Sequence, residues 1–254
     1  MAAVGVEFAK VSYALPPADG QPGRVLLRDI SLQLEAGTVT ALLGRSGSGK
    51  TTLLRMVNGL VMPTSGEVRV GDKATGEFDT VSLRRSIGYV IQETGLFPHM
   101  TVERNVGMAL ELAGRSRGQI ASRTAKTLAL VGLGFTEFRG RYPWQLSGGQ
   151  RQRVGLARAL AMTPEILLMD EPFGALDPLT RAEMQTMLRD LLQKVDKTVL
   201  LVTHDLDEAL YLAERVVFLA EGSVVADLPA SEVLKSENHH VKDYVSAVHR
   251  AVSI

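Results

Sequence analysis

The sequence predicts an α/β fold: a mixed-sheet core, an antiparallel β subdomain and an inserted helical subdomain. Three observations carry this. Val39-Thr40-Ala41-Leu42-Leu43 is an unbroken apolar run that passes through a glycine-rich turn into Thr52-Leu53-Leu54-Arg55-Met56-Val57, which reads as the first turns of a helix. Later apolar runs alternate with helical stretches in the βαβα order of a parallel sheet. Between them, about residues 95–160 place apolar residues three and four apart and give no strand signal. With 254 residues, 45% of them hydrophobic, the chain is long and apolar enough for one large domain with a sub-domain inside it.

In order, Val4 to Tyr13 alternates and predicts a strand. Leu15 to Gly23, with Pro16, Pro17, Gly20 and Pro22, predicts a loop. Ile30 to Leu34 alternates again, and Glu35-Ala36-Gly37 turns into the Val39 strand. Pro63 to Gly66 is a turn and Glu67 to Val70 a short strand; these early strands look antiparallel and hairpin-linked. Ile87 to Ile91 is a buried strand ending at Gln92. Thr101 to about Leu133 is helical, punctuated by Gly114, Gly118 and Gly132. Ser147-Gly148-Gly149 opens another helix, and Ile166 to Asp170 is an apolar strand ending in acid. A helix from Leu179 to Lys194, a strand from Thr198 to Val202 and a helix from Leu206 to Ala213 complete the alternation. Val216 to Leu228 predicts a hairpin turned at Glu221-Gly222, and Ala230–Lys235 and Val241–Arg250 are short terminal helices, the second within a C-terminal helical tail over 236–254.

Composition narrows the function classes. Lys+Arg and Asp+Glu are both 28, so no basic excess points to nucleic acid. With no cysteine there is neither a disulfide framework nor thiolate chemistry. No signal segment and no apolar run of about 18 residues is present, so a soluble cytoplasmic chain is expected, with any membrane role coming through a partner.

Chemistry concentrates in three motifs. Gly44-Arg45-Ser46-Gly47-Ser48-Gly49-Lys50-Thr51 fits G-x-x-x-x-G-K-[ST] at every fixed position, between a strand and a helix. The glycines let successive N–H groups turn toward an anion, and the helix N-terminus adds its positive end. Lys50 can reach β- and γ-phosphates, the Thr51 hydroxyl can ligate Mg²⁺, and Thr52 closes the predicted phosphate-binding stretch. The strand Ile166–Asp170 places a carboxylate for Mg²⁺ at the same mouth, and Glu171 follows it, able to take a proton from or orient an attacking water. Leu146-Ser147-Gly148-Gly149-Gln150 sets a serine and two glycines at a helix start, a second backbone anion site.

The ordered series of the phosphate loop, Gln92, Leu146–Gln150, Ile166–Glu171, Ala175-Leu176-Asp177 and His204 resembles an ATP-binding cassette (ABC) ATPase over about residues 4–235. The resemblance implies a P-loop NTPase (RecA-like) core within a single ABC ATPase domain spanning 1–254. It implies a head-to-tail dimer in which the Lys50 loop of one copy and the Ser147 motif of the other sandwich ATP. It also implies residue roles: Tyr13 stacks on adenine, Gln92 senses the γ-phosphate and Mg²⁺, Asp177 touches the partner copy, and His204 bonds the γ-phosphate and holds Glu171 and the water. Arg45 stands where many relatives have proline, and Gly174-Ala175 precedes Asp177 as in importer-type relatives.

The run Glu171-Pro172-Phe173-Gly174-Ala175-Leu176-Asp177-Pro178-Leu179-Thr180-Arg181 is similar to bacterial importer ATPases, which work with integral membrane permease subunits and an extracytoplasmic solute-binding protein at the cytoplasmic face of the inner membrane. Leu83–Gln92, Gly95–Val102 and Arg141-Tyr142-Pro143 resemble the quaternary-amine group (glycine betaine, choline, carnitine). Amino-acid, sulfonate and nitrate importers share most of these motifs and are the alternative; a soluble cassette acting without a permease is the third. Several quaternary-amine ATPases continue into paired CBS modules, and the sequence read here holds none, so that form of salt sensing is expected to be missing. Gln92 to Met100, with Leu96-Phe97-Pro98 apolar for a loop, is the expected floor of the permease groove. Trp144 is expected to pack, His239-His240 to be solvated, and Arg84, Arg85, Arg139, Arg141, Arg151 and Arg153 to pair with acids or face the membrane partner.

Overall fold

The structure, a computed structural model, describes residues 3–17 and 23–249. Part of the expected loop (18–22) and the end of the expected tail (250–254) lie outside the described residues. In chain order the elements are β1 (Val6–Leu15), β2 (Arg24–Leu34), β3 (Val39–Leu43), α1 (Lys50–Val57), β4 (Ser65–Val70), β5 (Lys73–Ala74), α2 (Thr80–Ser86) and β6 (Ile87–Val90). Next come α3 (Val102–Leu112), α4 (Arg117–Leu130), α5 (Phe135–Phe138), α6 (Gly148–Leu160), β7 (Ile166–Asp170) and α7 (Pro178–Leu192). Last are β8 (Thr198–Thr203), α8 (Leu206–Leu212), β9 (Arg215–Ala220), β10 (Ser223–Pro229) and α9 (His239–His249). Contacts divide the described residues into two compact units: those of Val4–Leu83 with residues 198–249, and Ala3 with Arg84–Lys197.

In the first unit, β3 lies between β8 and β9, parallel to both, and β10 closes the edge antiparallel to β9. All residues of β3 and β8 are buried, which is why both read as unbroken apolar runs rather than alternating ones. The β9–β10 turn is Glu221-Gly222, both left-handed (φ 51° and 78°), as a two-residue hairpin requires. A separate antiparallel sheet has the order β2-β1-β4-β5. It is antiparallel as expected, but β4 pairs with β1 across the chain rather than through a hairpin. β2 begins at Arg24, earlier than the expected Ile30. The alternation breaks where Lys10 (φ 49°) and Asp29 (φ 45°) bulge between the Phe8↔Leu32 and Val11↔Ile30 pairs and beyond, and pairing resumes at Tyr13↔Leu27. Phe8, Leu27, Ile30, Leu34, Leu42, Leu43, Leu53, Leu54 and Met56 are fully buried and form this unit's core.

In the second unit β6 runs parallel to β7, Ile87 opposite Ile166 and Val90 opposite Met169. Residues 95–160 hold α3, α4, α5, α6 and a 3-10 turn, with no strand among these described residues. α3, α4 and α6 pack on one another through Val102, Val106, Leu128 and Val154, all buried, and α6 lies against β6. The helical stretch expected from Thr101 divides into two helices at Gly114. Gly114, left-handed at φ 73°, ends the first, and Ser116 with Gln119 caps the second reciprocally (3.4 and 3.0 Å). α2 gave no signal in the sequence, since only Leu83 of its seven residues is buried.

Candidate functional site

The phosphate-loop pattern sits in the first unit between β3 and α1. Its conformation depends on glycine. Gly49 is left-handed (φ 100°), and a Cβ there would come within 2.5 Å of Leu27 Cδ2. A Cβ on Gly44 would meet the Leu219 carbonyl oxygen at 2.2 Å. Arg45, Ser46 and Gly47 are exposed at the tip, whereas Ser48, Gly49 and Lys50 are buried. The Lys50 ammonium, 5% exposed as a residue, folds back to donate to the carbonyls of Gly44 (2.7 Å) and Arg45 (2.9 Å).

Two observations test whether this loop fits an anion. α1 starts at Gly49 with no side-chain cap, so the donors of its first turn have no internal acceptor of that kind. The Ser48 hydroxyl oxygen is buried without a hydrogen-bond partner among the described residues. A buried polar group left so is costly unless a ligand or water completes it. Uncapped donors, an orphaned hydroxyl and a buried cation at one helix start fit a polyphosphate, and Thr51 and Thr52 follow on the first turn.

Register brings two further predicted residues to this loop. Leu43 of β3 lies opposite Thr203 of β8, so His204 emerges beside Gly44 at the same end of the sheet. His204 is exposed, and its carbonyl accepts the Tyr244 hydroxyl (2.6 Å) from α9. Tyr13 on β1 is half-buried and pairs with Leu27, the residue packed against Gly49.

The other predicted residues belong to the second unit. Asp170 ends β7 with 3% exposure and accepts from the Tyr89 hydroxyl (3.3 Å). Glu171 turns the chain with a left-handed backbone (φ 45°), a conformation rare for a non-glycine residue and common at functional turns. Gln92 Nε2 donates to Glu171 Oε2 (3.3 Å), so the structure brings these two together. Among the described residues no three of His, Cys, Asp and Glu cluster as a metal site. Of the residues expected around Mg²⁺, all hard oxygen donors, Thr51 belongs to the first unit and Gln92 and Asp170 to the second.

Ser147 and Asp177 both cap helices. Ser147 Oγ accepts from Gln150 N (3.2 Å), and Gln150 Oε1 accepts from Ser147 N (2.9 Å), a closed capping box at the start of α6. Gly148 is half-buried against Leu176, and a Cβ on buried Gly149 would meet Thr180 Cγ2 at 2.7 Å. Asp177 Oδ1 accepts from Thr180 N (3.1 Å) at the start of α7, and its hydrogen bonds to Thr180 hold the carboxyl below its ordinary value.

Several expectations change. Trp144 does not pack: it is 65% exposed and stacks on Tyr142 (centroids 4.4 Å, 14°). Arg139 and Arg141 do pair with acids, Glu103 (3.2 Å) and Glu137 (2.8 Å). Arg85, Arg151 and Arg153 instead donate to the carbonyls of Leu112, Leu146 and Val131. Carbonyls at helix ends accept from guanidinium groups, which charge counting cannot register. The sequence reading also missed Asn105. It is fully buried, accepts from Phe97 N (2.8 Å) and donates to the carbonyls of Phe97, Met100 and Thr101, pinning the loop that carries half-exposed Phe97. A polar residue on the apolar face of α3 was the available signal.

Comparison with known proteins agrees with this layout. The family model described as ABC transporter matches residues 27–174. The osmoprotectant import ATP-binding protein OsmV of Salmonella typhimurium (strain LT2) is 43% identical over 227 residues, 89% of this chain and 59% of that protein. The carnitine transport ATP-binding protein OpuCA of Listeria monocytogenes is 43% identical over 88% of this chain and 56% of its own length. This chain therefore spans somewhat over half the length of these curated relatives. A solved ATP-binding cassette, dimeric and bound to ADP and Pi in a post-hydrolysis state, superposes with TM-score 0.78 at 34% identity, covering 89% of this chain and 98% of the other. The fold is thus that of an ABC ATPase cassette, and with the family model covering more than half its length, the chain belongs to the ABC transporter family.

Proposed function

We propose that the chain is the ATP-hydrolysing subunit of a bacterial importer, with quaternary-amine osmoprotectants such as glycine betaine and choline as its solute class. The observation that carries the ATP reading is the start of α1, where uncapped N–H groups, the unpartnered Ser48 hydroxyl and buried Lys50 converge. Gly44 to Thr52 take the phosphates, Lys50 exchanging the Gly44 and Arg45 carbonyls for phosphate oxygens. Tyr13 faces the adenine. Thr51, Gln92 and Asp170 are the residues for Mg²⁺, which when bound neutralises charge on the phosphates. Glu171 accepts the proton of the attacking water, Gln92 orients the Glu171 carboxylate through the bond it already makes, and His204 bonds the γ-phosphate.

A second copy completes the site head to tail, with Ser147, Gly148, Gly149, Gln150 and Asp177 facing the partner's ATP. Support comes from the dimeric solved relative bound to ADP and Pi. Permease subunits carry the solute, an extracytoplasmic solute-binding protein delivers it, and the chain sits at the cytoplasmic face of the membrane through the permease. No helix among the described residues is long and apolar enough to cross a membrane, which is consistent with a peripheral place. The solute class rests on likeness to osmoprotectant and carnitine transport proteins.

The test is Glu171→Gln. Removing a general base lowers turnover by about 10²-fold or more, so the purified variant should bind ATP and hardly hydrolyse it. Uptake of labelled glycine betaine should fall with it in cells. Undiminished hydrolysis would sink the assignment of Glu171. Equal uptake in both strains, with wild-type hydrolysis confirmed, would move the solute to another small-molecule class such as amino acids or sulfonates.

A further inference from the structure

Gln92 is followed by three consecutive left-handed residues, Glu93 (φ 60°), Thr94 (φ 64°) and Gly95 (φ 53°). Two of them carry side chains that rarely adopt this conformation, and such backbone persists only where the surroundings over-determine it. Local bonds contribute: Thr94 N donates to Ile91 O (3.3 Å) and Gly95 N to Glu93 O (2.7 Å). The stronger constraint comes from α6. Arg158 sends Nη1 to the Gly95 carbonyl and Nη2 to the Thr94 carbonyl, both at 2.7 Å. Gly155, three residues earlier on the same helix face, lies under Thr94, whose carbonyl oxygen would be 3.6 Å from a Cβ there. Burial lowers the Arg158 guanidinium from its ordinary value without making it titrate at any physiological pH. A partly desolvated guanidinium whose two ends grip adjacent backbone carbonyls serves to hold a chain conformation.

We propose that Arg158 is a positioning residue: its fork fixes the 93–95 turn and thereby sets where the Gln92 carboxamide meets Glu171. This rests on the reading of Gln92 and Glu171 as residues that act on ATP and Mg²⁺. It also makes α6 a double anchor, with the Ser147 box at its first turn and the grip on the Gln92 loop in its last.

The experiment uses the full chain as wild type, Arg158→Met and Arg158→Lys, each alone and with Gln92→Ala. In nucleotide-free protein, hydrogen exchange of the 91–97 segment should rise about tenfold in Arg158→Met, while the β3 and β8 segments stay unchanged. In steady-state hydrolysis Arg158→Met should lower kcat about tenfold with little change in KM for ATP, as when a partner behind a metal ligand is removed. Arg158→Lys, which keeps the charge at shorter reach, should fall in between. In the Gln92→Ala background Arg158→Met should cost nothing further, because the group it positions is gone. Unchanged exchange at 91–97 would overturn the proposal, as would a kcat loss of equal factor in both backgrounds. A lowered melting temperature without selective loosening of 91–97 would overturn it too, making Arg158 a packing residue. If the wild type itself turned over no ATP, the proposed function would fail, while the exchange result would still decide whether Arg158 holds the turn.

Discussion

Two helix starts in this chain are built on opposite principles. α1 begins at a glycine with no side-chain cap, beside a buried hydroxyl that lacks a partner. α6 begins at Ser147 with a closed capping box that satisfies the Gln150 and Ser147 N–H groups reciprocally. α3, α4, α7 and α8 follow the second pattern, with Thr101, Ser116, Asp177 and Asp205 as caps. The chain therefore has the means to cap a helix and leaves α1 without. A capped start is complete within its own chain and can present a finished surface to another molecule. A start without a side-chain cap leaves the place of that cap open to an acceptor from outside, and its stability should respond to one.

The sharpest way to break this contrast is Lys50→Ala. If the α1 start is built for an anion, ATP hydrolysis should fall by about 10²–10³-fold, as when one preorganised charge donor is removed. The stability loss should be about 1–3 kcal/mol, because the buried Gly44 carbonyl loses its donor while the exposed Arg45 carbonyl can turn to water. A large stability loss with hydrolysis retained would make the loop a structural turn. Gly49→Ala comes next, because it forces a side chain into φ 100° and against Leu27. It should destabilise by about 1–3 kcal/mol, read as a shift of the denaturation midpoint. An unshifted midpoint would show that the loop has room to relax.

Ser147→Ala probes the other start and should cost about 1 kcal/mol of stability, whether or not nucleotide is present. Dependence of that loss on nucleotide in a monomeric sample would erase the distinction between the two helix starts. The smallest effect concerns Asp177. Its carboxyl is held below its ordinary value by Thr180, so the cap of α7 is fully engaged above that ordinary value and is lost as pH falls through the lower folded one. Asp177→Asn should flatten the acid limb of the stability curve slightly; an identical limb would show that the cap contributes nothing measurable.

Much of the fold was legible because burial on both faces leaves an unmistakable mark. β3, β7 and β8 are wholly buried and read as such, and the hairpin at Glu221-Gly222 announced itself by residue type. Where structure depends on backbone irregularity the sequence was silent. The bulges at Lys10 and Asp29 hid the first half of β2, and α2 buries too little to leave a period. The phosphate loop, Asp170, Glu171 and Gln92 could be named because their residue types and order are distinctive. Arg158 and Asn105 could not, since their partners are backbone carbonyls and amides, and no residue pattern encodes a carbonyl. In hindsight, a cation flanked by Ala157 and Ala159 in a buried helix was the sign that something beside α6 required a donor.

Trp144 is the chain's single tryptophan, and it stands exposed three residues ahead of Ser147, stacked on Tyr142. The molecule thus carries its own optical reporter at the start of α6. Its indole emission belongs to a solvated ring, and any surface that covers the Ser147 turn will dry that ring and move its colour toward the blue. Assembly at this helix can accordingly be followed by light from the unmodified chain, without a label.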